Sequence, residues 1–211
     1  MGIDPSITNT GWVVYGPSGI VDRGVFRTQP RDKSGNPILM ISRLRAQKES
    51  LLNKLKEYDI SIIGAEQAPH KLQFSETLVA LTYFIQDMCY NYSMDLVYWT
   101  PLTIKTYATA GNNKATKHEM IEKAMEDANI RTKMTEHEAD AYFASKLTYK
   151  LSQYLSGHLP YSQLSDREKH AIWHEKTITR GPRAGVVEQT GVLARWGELF
   201  FPFGANHYLG G

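Results

Sequence analysis

The fold of this chain is decided by the stretch Met1-Gly2-Ile3-Asp4-Pro5-Ser6, a short apolar run that ends on a carboxylate. Proline has no backbone N–H for a sheet ladder, so the pattern predicts a very short buried strand that ends at Asp4. Open α/β sheets place their sites at such strand ends. Asp-Pro also opens ordinary turns, and on its own that simpler interpretation is the better one. The rest of the chain decides between the two.

Two stretches rich in β-branched and aromatic residues follow, at positions 11–15 and 20–28, on either side of Gly16-Pro17-Ser18-Gly19. They predict an antiparallel hairpin that continues from the first strand. Apolar residues at helical spacing between positions 38 and 55 then predict an amphipathic helix. The first part of the chain therefore contains three antiparallel strands and one helix.

The run Ile60-Ser61-Ile62-Ile63-Gly64-Ala65-Glu66 also ends on an acid. Near-continuous apolar runs are typical of parallel strands that are covered on both faces. Further along, we predict a helix at 75–92, a fifth strand at 96–99, a basic loop at 105–117 and a helix at 118–128. A last helix of this domain is predicted to start near Thr135.

Three antiparallel strands followed by alternating helices and parallel strands are the order of ribonuclease H-like folds. We therefore predict an α/β fold with a five-stranded mixed sheet, strand order 3-2-1-4-5, flanked by helices. This domain is expected to cover residues 1–150, and a C-terminal extension to cover 151–211. Asp4 and Glu66 then end neighbouring strands about 4.8 Å apart. The two carboxylates could share one cation or bridge two.

The composition is that of an ordinary globular protein, with 42% hydrophobic and 22% charged residues among 211. A formal net charge of +2 means that any nucleic-acid surface must come from local clusters of basic residues. The single cysteine, Cys89, excludes a disulfide framework and favours a reducing compartment. No stretch is long and apolar enough for a membrane span, so we expect a cytoplasmic protein without a membrane partner.

A third acidic motif is the stretch Thr135-Glu136-His137-Glu138-Ala139-Asp140-Ala141-Tyr142-Phe143-Ala144. His137 and Asp140 are three residues apart and therefore share one face of a helix. The alanines are small enough to let that helix approach the sheet closely. Thr135 and Glu138 match a capping box, so we leave Glu138 out of the site.

Taken singly, His137 is better explained as a capped surface histidine and Asp140 as part of a solvated face. Together with Asp4 and Glu66 they complete a cluster of four candidate ligands. Buried like charges at that density require a cation. The three motifs therefore predict a metal-dependent site.

These motifs together resemble the RuvC family of Holliday-junction resolvases. The resemblance covers residues 1 to about 150 in family order, and it is carried by Gly2-Ile3-Asp4-Pro5-Ser6 with Thr10-Gly11, Ala65-Glu66-Gln67, Lys105 through Lys117, and His137-Glu138-Ala139-Asp140-Ala141. It implies a Mg²⁺-dependent endonuclease, usually a homodimer, that nicks two opposed strands of a four-way junction. The composition and the extension look more like a bacteriophage member, which would act in the cytoplasm of its bacterial host.

The resemblance also implies that Asp4, Glu66, His137 and Asp140 are the catalytic, metal-binding residues. Two Mg²⁺ ions about 3.5 to 4 Å apart would support in-line attack of water on the phosphodiester. Because an imidazole belongs to the set, Mn²⁺ is a candidate substitute. His137 could instead position or deprotonate the water, and the sequence leaves both roles open. Some members carry aspartate where His137 stands.

Four residues are predicted to contact four-way or other branched DNA. Lys105 and Lys117 match family lysines that contact DNA near the scissile phosphate, and Lys114 lies between them. Phe74 follows Glu66 in the loop where family members often place an aromatic residue that stacks at the junction centre. It either stacks on a base or belongs to the core.

The resemblance ends near Tyr149. Apolar residues around Gly-Pro and Gln-Thr-Gly turns predict a small β-hairpin in the extension. Its basic residues could hold a DNA arm, and a solvated surface explains them equally well: Lys176, Arg180 and Arg183.

Other functions remain open at this point. The chain could be a noncatalytic junction-binding or packaging partner, or a less selective nuclease of the same fold. The opening motif also resembles the phosphate loop of actin-like sugar kinases and heat-shock ATPases. Those proteins need two such domains, which 211 residues hardly hold.

Overall fold

A computed structural model of the chain describes residues 1–67 and 76–196. It consists of two units, one spanning Met1–Tyr149 and one that begins at Lys150. In the first unit, five strands form one sheet: β1 (Gly2–Asp4), β2 (Asn9–Gly16), β3 (Gly19–Arg27), β4 (Ile62–Glu66) and β5 (Asp95–Trp99). The strand order is β3-β2-β1-β4-β5, which confirms the predicted order.

The pairing of the strands is mixed, as predicted. β1 pairs with β2 and β2 with β3 in antiparallel fashion, whereas β1–β4 and β4–β5 are parallel. The parallel register joins Gly2 to Gly64 and Ile3 to Ala65. β1 is therefore central although it is only three residues long.

Five helices belong to this unit, in whole or in part: α1 (Met40–Glu57), α2 (Glu76–Asn91), α3 (Pro101–Ala108), α4 (Lys117–Asp127) and α5 (Glu136–Leu155). The prediction of a loop from Lys105 onward is wrong at its start, because Lys105 lies on α3. The Thr100 side chain accepts a hydrogen bond from the Thr103 backbone N–H, and Pro101 occupies the first turn. A capping threonine followed by proline starts a helix as readily as it ends a strand.

One face of the sheet carries the main apolar core with α1 and α2. Side chains alternate between the two faces of a strand, so Ile3, Ile63 and Ala65 all point to this side. They belong to one buried cluster with residues of the two helices, which include Leu51, Leu55, Leu81, Ile85, Met88 and Cys89. Cys89 is therefore a core residue.

The opposite face is covered by α5, which lies almost directly on the backbone of three strands. A Cβ atom built on Gly11 of β2 would come within 2.1 Å of the His137 carbonyl oxygen. One built on Gly2 of β1 would come within 2.1 Å of the Ala141 carbonyl oxygen, and one on Gly64 of β4 within 1.8 Å of Thr148 Oγ1. These glycines, at adjacent strands, form the seat of α5.

The second unit contains short elements. A 3-10 helix (Tyr161–Gln163) precedes α6 (Asp166–Ile172), an antiparallel hairpin of β6 (His174–Thr177) and β7 (Val187–Thr190), and α7 (Val192–Trp196). No helix in the described ranges is long and apolar enough to cross a membrane.

The seat of α5 gives a prediction for stability. Gly64→Ala would drive a methyl group into Thr148, whose Oγ1 accepts a hydrogen bond from Trp99 Nε1 at 2.8 Å. We expect a loss of about 1 to 3 kcal/mol in the free energy of unfolding, the usual cost of overpacking. Urea denaturation measures it, with Gly16→Ala as the control, because its new Cβ would meet only Val21, at 3.4 Å. Equal stability of the two variants would contradict the close seating.

Candidate active site

Asp4 and Glu66 lie side by side at the edge of the sheet. Ile3 and Ala65 are partners in the parallel register, and Asp4 and Glu66 are the next residues on β1 and β4. Each is two residues beyond a glycine of the α5 seat, so both side chains point to the face that α5 covers. The shared edge that the sequence predicted is therefore present.

The first turn of α5 brings His137 to Asp4. His137 Nδ1 is 2.5 Å from Asp4 Oδ2, and both side chains are largely buried, with 25% and 15% of their surfaces exposed. This contact raises the pKa of His137, although burial alone would lower it. Histidine and aspartate thus form a short ion pair or hydrogen bond between the helix and the central strand.

Glu66 and Asp140 carry the clearest electrostatic signature of the site. Burial, followed by the charges of Asp4 and Asp140, raises the pKa of Glu66 to about 8. Burial, followed by the charge of Asp4, raises the pKa of Asp140 to about 7. Three carboxyl groups therefore act on one another in a poorly solvated place.

Two of the three predicted DNA-binding lysines are electrostatically linked to this cluster. The charge of Lys105, which is half-buried on α3, lowers the pKa values of both Glu66 and Asp140. Lys117 is exposed, and its Nζ is 2.7 Å from Glu136 Oε1. Its pKa is raised, first by Glu136 and to a lesser degree by Asp140 and Asp4.

Within the described part of the chain, Lys114 is not linked to this cluster. Lys114 is exposed in the turn before α4, where its backbone N–H donates to Asn112 Oδ1. Phe74 lies outside the described residues, so its predicted contact with a junction stays a prediction.

Glu138 has a structural role at the start of α5, in line with its exclusion from the site. Its carboxylate accepts hydrogen bonds from the Thr135 backbone N–H and hydroxyl, which completes the capping box. Its other oxygen is 2.8 Å from Arg23 Nη1, and Arg23 Nη2 also donates to the carbonyl oxygens of Thr132 and Lys133. Arg23 on β3 therefore fixes the helix turn that carries His137.

The sequence analysis missed two buried polar residues of α1, Arg43 and Gln47. Arg43 donates from Nη2 to Thr8 Oγ1 and to the Ile7 carbonyl oxygen, at 3.1 and 3.4 Å. Gln47 Nε2 donates to the Ser6 and Ile7 carbonyl oxygens at 3.4 Å. They hold the turn that follows Asp4. Their i, i+4 spacing beside the buried leucines of α1 was the available signal.

The donor set suits a hard divalent cation. Carboxylate oxygens are the ligands that Mg²⁺ prefers, and a cation would offset both the burial and the repulsion that raise the pKa values of Glu66 and Asp140. In the described arrangement, Asp4 Oδ2 is engaged by His137. Across 1–67 and 76–196, no three His, Cys, Asp or Glu side chains stand ready as a ligand group. A cation at Asp4 would therefore compete with His137 for that oxygen.

Comparison with known proteins gives two kinds of similarity. The chain is 29% identical over 157 residues to the crossover junction endodeoxyribonuclease RuvC of Orientia tsutsugamushi strain Ikeda, covering 67% of this chain and 88% of that protein. The corresponding protein of strain Boryong is 28% identical over 169 residues, covering 72% and 95%. No family model matches the sequence.

The fold is similar to that of solved structures of RuvC from Thermus thermophilus. One such structure has a TM-score of 0.54 at 16% identity, with 74% of this chain and 95% of that chain covered. A second, of T. thermophilus RuvC in complex with a Holliday junction substrate, has a TM-score of 0.54 at 18% identity, covering 68% and 88%. These similarities support the ribonuclease H-like order of the sheet.

The raised pKa values predict how stability depends on pH. Ordinary values are 4.5 for Glu66 and 3.8 for Asp140, against about 8 and about 7 in the folded protein. Between these limits the folded state binds more protons than the unfolded state, so stability falls as pH rises. Without metal, Glu66→Gln should therefore be more stable than the wild type at pH 8, by about 2 kcal/mol or about 4 to 8 °C in Tm.

Thermal melts at pH 5 and pH 8 in EDTA measure this difference, which should shrink at pH 5. Mg²⁺ should raise the Tm of the wild type by mass action and that of Glu66→Gln by less. Glu49→Gln, at an exposed position of α1, serves as the control. A Glu66→Gln advantage equal at both pH values would contradict the buried, repelled carboxyl.

Proposed function

We propose that this chain, which is similar to RuvC proteins in sequence and in fold, is a structure-selective endonuclease that resolves Holliday junctions. The observation that supports the proposal is the contact between Asp4 and His137, together with the charge of Asp4 that helps to raise the pKa values of Glu66 and Asp140. A protein that only binds DNA has no use for mutually repelling carboxyl groups in a poorly solvated place. Other branched DNA belongs to the proposed substrate range.

We propose that Asp4, Glu66 and Asp140 hold the divalent cations, two Mg²⁺ ions or their Mn²⁺ substitutes, together with His137. When bound, such cations supply Lewis-acid stabilisation of the phosphate oxygens and lower the pKa of water. The proposed role of Lys105 is to hold the scissile phosphate beside the carboxylates, since its charge already acts on both Glu66 and Asp140. Lys117 and Lys114 would contact the DNA farther out.

His137 has two proposed roles that its contact with Asp4 supports equally. It could bind a cation through the nitrogen that now meets Asp4, or it could hold a proton near the water. Arg23 and Glu138 support either role, because they fix the helix turn to which His137 belongs.

The first test is nicking of a labelled four-way junction. We expect symmetric nicks with Mg²⁺ or Mn²⁺, no nicks in EDTA, and much slower cutting of a duplex with the same sequence. The Asp4→Asn variant should still bind the junction, but its nicking should fall to the level seen in EDTA. The substitution removes the carboxylate of β1 that contacts His137 of α5.

The outcomes of this assay separate the alternatives. Equal cutting of junction and duplex would indicate a less selective nuclease. A folded wild type that binds the junction without nicking it would leave the noncatalytic binding partner as the better function. Retention of nicking by Asp4→Asn would exclude this site.

We also propose that the protein acts as a homodimer, because one centre cuts one strand and two opposed nicks need two centres. Val79 and Tyr83 on α2 are four residues apart, with 46% and 66% of their surfaces exposed. Such an exposed apolar face is typical of a surface that a second copy covers.

Light scattering after gel filtration should give twice the mass of one chain for the wild type. Val79→Glu/Tyr83→Glu should shift the protein to the monomer, because it buries charge in the proposed interface. Val21→Glu is the control, since Val21 lies on the edge strand β3 with 57% of its surface exposed, between the values of Val79 and Tyr83. A wild-type monomer, or a double variant that stays dimeric, would contradict this interface.

A further inference from the structure

The hairpin of β6 and β7 in the second unit carries an uninterrupted basic segment. Residues 176–187, which run from the end of β6 through the tip into β7, contain three cations and no acid: Lys176, Arg180 and Arg183. Every residue of this segment except Ile178 is exposed. The segment is therefore positively charged and accessible within the described part of the chain, and the acids of the hairpin, Glu175 and Glu188, lie at its two ends.

The base of the hairpin is tied firmly to the rest of its unit. His174 stacks on His170 of α6 with ring centroids 3.8 Å apart, and its Nδ1–H donates to the His170 carbonyl oxygen at 2.7 Å. On the other strand, Thr190 Oγ1 is 2.5 Å from His174 Nε2. Gly191, which follows β7, packs closely against the end of α6, since a Cβ atom on Gly191 would lie 2.6 Å from the Ile172 carbonyl oxygen.

The tip is also ordered by its own backbone. The Ile178 N–H donates to the Val186 carbonyl oxygen at 2.8 Å, and the Gly185 N–H donates to the Ile178 carbonyl oxygen at 2.7 Å. The Ala184 N–H closes the turn on Gly181. A tip that is already ordered loses little conformational entropy when it binds a partner.

The cations of the tip are only partly neutralised by protein groups. Arg183 pairs with Glu188, with Nη2 2.7 Å from Oε1. Lys176 and Arg180 form no ion pair with any described residue. Two free cations and one paired cation thus lie along a two-stranded ribbon, a shape that the DNA major groove admits.

We propose that the β6–β7 hairpin is a second DNA-binding element, which holds the phosphate backbone of a duplex arm through Lys176 and Arg180. The charge of the segment favours a polyanion over an apolar or basic partner, and the ribbon shape favours duplex DNA over an acidic peptide. The inference builds on the proposed function, since a nuclease that acts on a branch point must also hold the arms that meet there. The hairpin would then contribute to the affinity for DNA and not to the cleavage of the phosphodiester bond.

The test compares two double variants that remove the same charge. Lys176→Gln/Arg180→Gln alters the hairpin, whereas Lys33→Gln/Arg45→Gln removes two exposed cations of the first unit that form no ion pair with described residues. Binding of a fluorescent four-way junction is measured by anisotropy in EDTA from 50 to 200 mM salt. Two lost phosphate contacts should weaken binding about tenfold and lower the slope of log K against log salt by about 2.

Two further measurements keep the result specific. Arg180→Lys with Lys176→Arg, which preserves both charges, should keep most of the affinity, because counterion release from the phosphate backbone depends on the number of positive charges. In single-turnover nicking at saturating enzyme with Mg²⁺, the hairpin variant should cut as fast as the wild type. A hairpin variant whose affinity and salt slope match those of the Lys33/Arg45 control would overturn the inference, and so would slower cutting at saturation.

This inference and the proposed function fail in different ways. A wild type that never nicks junctions but loses DNA affinity with the hairpin cations would refute the nuclease and leave the arm-binding hairpin standing. If the wild type nicks junctions and the hairpin variants bind DNA with unchanged affinity, the nuclease function stands and the arm-binding role of the hairpin is refuted.

Discussion

The close contact between α5 and the sheet is the constraint on which the rest of this structure depends. Three glycines on adjacent strands, Gly11, Gly2 and Gly64, bring the helix so near that even a methyl group would collide with it. The same approach brings His137 within hydrogen-bonding distance of Asp4. The seat of α5 and the candidate site are thus two results of one packing arrangement, and a change in the seat would move the first turn of the helix.

That packing arrangement also explains the raised pKa values of Glu66 and Asp140. A helix farther from the sheet would leave water between the carboxyl groups, and the pKa values of Glu66 and Asp140 would stay close to ordinary ones. Here burial is the largest cause of both raised values. The ion pair between Arg23 and Glu138 stabilises the first turn of α5 from outside the cluster. The position of that turn therefore does not depend on attraction between the residues of the cluster.

The sequence predicted the structure well where a residue's role depends on its neighbours in the chain. Acids at the ends of two apolar runs indicated a shared edge, and the capping box at Thr135 indicated both the start of α5 and the structural role of Glu138. The prediction failed where a residue's role depends on partners that are distant in the chain or where a motif fits two structures. Thr100-Pro101 fits a strand end and a helix start equally well, so the helix that carries Lys105 was missed.

Long-range packing explains the remaining omissions. No local rule distinguishes the glycines under α5 from turn glycines, since their use depends on a helix more than seventy residues further along the chain. The spacing of Arg43 and Gln47 beside the leucines of α1 indicates the buried face of that helix, but their polar partners lie in the turn after Asp4, more than thirty residues earlier in the chain. The contact between His137 and Asp4 joins two residues of the predicted set, but the sequence did not predict the contact itself.

The central position of β1 has a consequence for how the molecule assembles. β1 pairs with β2, which follows it closely in the chain. Its pairing with β4 and its contact with α5 involve segments that are synthesised much later. Contacts between segments so distant in the chain form late and slowly. During synthesis, the carboxylate on β1 therefore stays apart from His137 and Asp140 until the last helix of the unit has left the ribosome. A nascent or truncated chain that lacks α5 lacks His137 and Asp140, so the four acidic and imidazole side chains would come together only in the finished fold.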